Sequence, residues 1–87
     1  MDKDFIAVNI HPFVFKQEVS VCQNGSYIRS IKCKLDDLPK TILTLSDMYH
    51  IDKVNLVDRN NIYKNKIKDD LSMLLKFKNK KLDIVVW

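Results

Sequence analysis

The pair Asn24-Gly25 constrains this chain more than any other local feature. Both residues accept the positive φ that a tight hairpin turn needs, and apolar residues alternate with polar ones on either side. Phe13 to Gln23 therefore reads as one strand and Tyr27 to Leu35 as the next. A two-residue loop would pair Val19 with Ser30 and Phe15 with Lys34, mixing apolar and charged residues on both faces. A three-residue loop, Asn24-Gly25-Ser26, instead gathers Phe15, Val19, Val21, Tyr27, Ile31, Cys33 and Leu35 on one face. Side-chain direction has a period of two, so this one-residue slip decides which face is apolar, and the three-residue loop is the expected register. Lys16, Glu18, Ser20, Ser30, Lys32 and Lys34 then form a wet face, so helices are needed on the other side only.

The remaining elements follow closely. Phe5 to Ile10 is rich in strand formers, and His11-Pro12 separates it from the hairpin because Pro12 cannot donate to a ladder. Asp36 and Asp37 are expected to cap a helix with Pro39 in its first turn; Leu38, Ile42, Leu45 and Tyr49 recur at helical spacing as far as His50. Lys53 to Asp58 reads as a short strand. Asn60 or Asn61 is expected to cap a second helix with Tyr63, Ile67, Leu71 and Leu74 inward, ending near Phe77. Leu82 to Trp87 closes the order β-β-β-α-β-α-β as an apolar strand. Two right-handed crossovers after the antiparallel hairpins predict the strand order 3-2-1-4-5. The expected fold class is α/β: a two-layer, five-stranded mixed sheet with both helices on one face, in a single small domain over residues 1–87.

Composition narrows the function classes. The chain is 46% hydrophobic and 30% charged, a globular balance. No apolar run approaches the ~18 residues of a spanning helix, and the charged start Met1-Asp2-Lys3-Asp4 is unlike a signal peptide, so a cytoplasmic protein without membrane contact is expected. Thirteen lysines against two arginines and ten aspartates against one glutamate resemble the residue usage of an AT-rich genome, such as that of a phage of low-GC bacteria. A net charge of +4 is compatible with nucleic acid, although Arg29 and Arg59 are the only groups suited to bidentate phosphate contacts. Cys22 and Cys33 fall roughly 20 Å apart along the hairpin, too far for a disulfide. No Cys/His spacing suits zinc, and neither a cofactor nor a metal is expected.

The order of elements resembles the minimal core of the ribonuclease H-like fold, over nearly the whole chain. In nucleases of that fold, a first-strand acidic residue, a first-helix Glu and an Asp ending the fourth strand hold the divalent metals that activate water. Asp58 stands at the fourth-strand position, but the middle of the first strand offers Val8 and Asn9, and the first helix contains no Glu. Asp4 lies at the wrong end of the first strand, roughly 15 to 20 Å away. A chain with one glycine also lacks the phosphate-binding loops of the actin-like branch. The resemblance therefore implies the fold without the chemistry, and no enzymatic activity is expected.

Three candidate surfaces remain. Ligands of open α/β sheets bind outside the carboxyl ends of strands where the strand order reverses, which brings together Asn9, His11, Asp58 and Asn60. The simpler reading makes His11 part of a turn and Asp58 a loop-initiating carboxylate. Lys64, Lys66, Lys68, Lys76, Lys78, Lys80 and Lys81 offer positive charge to nucleic acid or an acidic partner, or merely solvate a helix. Val85 and Trp87 lie on a terminal edge strand suited to pairing with a protein, whereas Lys32 and Lys34 protect the edge at the third strand. The expected function is a non-enzymatic binding or regulatory module that contacts a protein through its wet sheet face, basic helix or terminal edge. The alternative is a nucleic-acid-binding accessory factor on a degenerate ribonuclease H-like core.

Overall fold

The computed structural model describes residues 3–11 and 13–87. Met1, Asp2 and Pro12, part of the expected charged start and strand break, lie outside the described residues. The order is β1 (Phe5–Asn9), β2 (Lys16–Gln23), β3 (Ser26–Lys34), a 3-10 turn (Leu35–Asp37), α1 (Leu38–Tyr49), β4 (Lys53–Val57), α2 (Lys64–Phe77) and β5 (Asp83–Val86). The five strands form one mixed sheet in the order β3-β2-β1-β4-β5. β1 is antiparallel to β2 and parallel to β4, which is parallel to β5. Class, element order and strand order are those expected.

The hairpin reconciles two demands that the sequence sets against each other. Asn24 and Gly25 form a two-residue turn with φ of 54° and 80°, and Gln23 pairs with Ser26 and Cys22 with Tyr27. The register then shifts, and Val21 pairs with Arg29, Val19 with Ile31 and Gln17 with Cys33. Ile28 is the extra residue of a β-bulge, so the positive-φ turn and the apolar register coexist. The three-residue loop is thereby corrected, while its register holds from Lys16 to Val21. Tyr27 is corrected too. Lying beyond the bulge, it faces the open side of the sheet, where its ring meets Phe5 edge-on at 6.3 Å.

Ile6, Val8, Val19, Val21, Val54 and Leu56 point from the sheet into one core with Leu38, Ile42 and Leu45 of α1 and Ile67, Leu71 and Leu75 of α2. The helical spacing in the sequence places Leu38, Ile42, Leu45, Ile67 and Leu71 correctly, whereas Tyr49, Tyr63 and Leu74 are only partly buried against the core and Leu75 is buried instead; both helices share that side of the sheet. α1 has no side-chain cap bond, contrary to the expected capping by Asp36 or Asp37. Its start is instead made by the 3-10 turn and by Pro39, whose missing N–H needs no partner in a first helical turn. α1 ends at His50 with φ 55°, and Asn61 and Asn79 also have positive φ. A chain with one glycine uses short polar side chains at most of these left-handed positions. Cys22 and Cys33 are both free thiols.

Asn55 occupies the centre of the open face, between Ala7 of β1 and Val85 of β5, and its enclosed side-chain oxygen has no hydrogen-bond partner among the described residues. An unmade hydrogen bond and a weak strand former both act against the fold here. Asn55→Val is expected to raise the unfolding free energy by about 1 kcal/mol, measured by urea denaturation. A decrease would mean that the amide does satisfy its neighbours.

Candidate surface at the carboxyl end of the sheet

β1, β4 and β5 run in parallel, so their carboxyl ends share one end of the sheet, and strand order reverses between β1 and β4. There the Ile10 N–H donates to the Val57 carbonyl at 2.8 Å. A shallow concavity of about 250 Å³ opens beside this bond, lined by Asn9, Ile10, His11, Val57 and Arg59. The structure thus brings Asn9 and His11 together, as the strand order predicts. It adds Arg59 and omits Asp58 and Asn60 from the lining.

Asp58 turns inward and is only 1% exposed. One carboxylate oxygen accepts from Asn60 N–H at 3.1 Å, the other from Ile62, Tyr63 and Lys64 N–H at 2.9, 2.7 and 3.2 Å. Burial pushes the carboxyl up, but these four backbone bonds outweigh it and hold its pKa below the ordinary value. Asp58 therefore satisfies the open N–H groups at the start of α2 and places a negative charge at its positive end. The expected cap by Asn60 or Asn61 is corrected: Tyr63 stands at the cap position without a side-chain cap bond, and the aspartate does this work from the end of β4. A carboxylate committed in this way caps the helix and does not line the concavity.

The β1–β2 connection is held by Gln17. Its residue is 2% exposed, its side-chain oxygen accepts from His11 N–H at 2.6 Å, and its Nε2 donates to the His11 and Val14 carbonyls at 2.9 and 3.1 Å. His11 thus serves the turn through its backbone, with an exposed side chain. The same bonds fold residues 13–15 away from the ladder, so β2 starts at Lys16 rather than at the expected Phe13. Phe15, expected on the buried face, is 74% exposed, with the Lys34 ammonium 5.4 Å from its ring centroid.

Large apolar side chains accumulate at this end. Phe13 is 92% exposed, and Val14, Ile62 and Trp87 are also exposed. Sequence reasoning missed Phe13, Val14, Ile62 and Arg59; the signal available was that Pro12 and Asp58 place all four in connections at the carboxyl ends of strands. A separate groove of about 400 Å³ between the helices is lined by Asp36, Pro39, Lys40, Asp70, Met73, Leu74 and Phe77.

The seven candidate lysines do not share one face. Lys66 pairs with Asp70 at 3.3 Å, Lys80 pairs with Asp47 of α1, and Lys64 donates to the Trp87 carbonyl at 3.4 Å. At 100° per residue, Lys64 and Lys68 share a flank of α2 that Lys66 does not. Lys76 is on the outer part of the helix, whereas Lys78 and Lys81 lie beyond its last residue. Val85 lies on the edge strand β5, as expected, whereas Trp87, expected within that strand, follows its last residue and donates its N–H to the Leu56 carbonyl at 2.8 Å.

Among the described residues, no group of three or more His, Cys, Asp or Glu side chains is placed to hold a metal, and no helix is long and apolar enough to cross a membrane. No family model matches this chain, and neither does any curated protein or solved structure.

Proposed function

We propose that this chain is a non-enzymatic protein-binding module that docks its partner on the connections at the carboxyl end of its sheet. The observation carrying this reading is the exposure of Phe13, Val14, Phe15, Ile62 and Trp87 at one end of a small molecule. Exposed apolar patches mark interaction sites, and aromatic side chains dominate binding energy when a partner encloses them. His11, Arg59 and Lys34 supply a polar rim. Because Gln17 already holds the loop, little further ordering is needed when a partner binds.

The test is capture from a lysate of the source cells with tagged protein, with and without nuclease. Three forms are compared: the wild type, a Phe13→Ser/Phe15→Ser variant and a Met73→Ser/Phe77→Ser control in the helical groove. A protein retained after nuclease treatment by the wild type and the control, and lost from the loop variant, is the expected result. Loss from the control alone would move the site to the groove, and recovery abolished by nuclease would replace the reading with nucleic-acid binding.

A further inference from the structure

We propose that the outer edge of β5 receives an extended segment of a partner protein in which acidic and apolar side chains alternate. Among the described residues β5 has β4 as its only neighbour in the sheet. The N–H groups of Asp83 and Trp87 donate to Asp52 and Leu56 at 2.7 and 2.8 Å, so residues of that parity face β4. Backbone groups alternate along a strand, so Ile84 and Val86 direct their N–H and C=O groups outward, ready for another strand.

The two edges of the sheet differ in their protection. β3 carries the bulge at Ile28 together with Arg29, Lys32 and Lys34. β5 has no bulge, proline or lysine, and its only charged residue is Asp83 at its start. Bulges and lysines are devices that keep a strand from pairing, and β5 lacks both.

The surroundings of the edge define the occupant. Ile67, Leu71 and Leu75 of α2 face the core, and Asp70, Met73, Leu74 and Phe77 face α1 across the groove. Helical geometry puts Lys64, Lys68 and Ser72 on the opposite flank. The contact from Lys64 to Trp87 sets that flank above β5. It carries two positive charges, with Lys76 and Asp69 farther round toward solvent. On the open side of the sheet this edge presents Val85 of β5 and, one residue beyond the strand, Trp87 instead. An added strand therefore meets lysines on one face and apolar side chains on the other, which matches an acidic-apolar alternation. A second copy is a poorer occupant, because antiparallel pairing through β5 brings the two lysine flanks together.

The test uses the labelled full chain with two peptides, Glu-Val-Glu-Val-Glu-Val and Lys-Val-Lys-Val-Lys-Val, following amide exchange by NMR. The acidic peptide is expected to protect the Ile84 and Val86 amides and to bind roughly tenfold more weakly to a Lys64→Glu/Lys68→Glu variant, with further weakening as salt rises. Equal binding of the basic peptide, binding that leaves those amides unprotected, or no binding would overturn the proposal. So would a free chain that is already dimeric with both amides protected. The Phe13→Ser/Phe15→Ser variant is expected to bind the acidic peptide normally, so failure at the edge and failure at the loop surface are separate results.

Discussion

Asp58→Ala is expected to destabilise the fold by about 3 kcal/mol, because four backbone N–H groups lose their acceptor in a place that water reaches poorly. For a chain of this size that is a fall in Tm of roughly 12 to 24 °C. Asp58→Asn keeps one neutral acceptor for Ile62, Tyr63 and Lys64 and turns a donor toward the Asn60 N–H, so about half the loss is expected. The pH dependence follows from the direction of the shift. The folded carboxyl titrates below its ordinary value, so its contribution is full above the unfolded value of roughly 3.9 and is lost as the pH falls through the folded one. Urea denaturation of wild type and Asp58→Ala from neutral to acid pH reads both effects: the curves should converge as the pH falls. Curves that stay parallel would show that the carboxylate does not cap α2 in solution.

The second large effect is expected at Gln17. Gln17→Leu preserves most of the buried volume but leaves the His11 N–H and the Val14 carbonyl without the amide, at a cost of about 2 kcal/mol. Its local consequence is more informative. Hydrogen exchange should accelerate in residues 13–15 while β4 and α2 keep their protection, because the three bonds from Gln17 are what shape that loop. Any partner that docks on Phe13 and Phe15 should then bind more weakly, although neither ring has changed. Unaltered exchange in the loop would show that its own turn, through the bond from Val14 N–H to the His11 carbonyl, is sufficient.

The two surfaces proposed here differ in how visible they are in sequence. Val85 and Trp87 can be placed on an edge because strand order follows from the order of the elements and the handedness of crossovers. Asn9 and His11 can be placed together at the strand reversal for the same reason. Phe15 could not be placed correctly, since alternation with Val19 and Val21 assigns it to the core until the Gln17 bonds turn residues 13–15 away. Seven lysines in sequence resemble one basic face, yet Asp70 and Asp47 partner two of them, and only tertiary packing brings Asp47 to Lys80.

Periodicity and chain chirality alone determined the element order, the strand order, the side that the helices cover and the register over Lys16 to Val21. These depend on repeating patterns, in which several side chains vote for one answer and a single exception is outweighed. Tertiary structure decided the bulge at Ile28, the exposure of Phe15 and Tyr27, and the inward turn of Asp58. Each of these rests on one side chain meeting backbone groups, or one turn meeting one register, and no repeating pattern encodes such a meeting. Asp58 shows the difference most clearly: its position after an apolar strand was legible, but its four donors, two to six residues further on, gather on it only when the loop before α2 curls around the carboxylate.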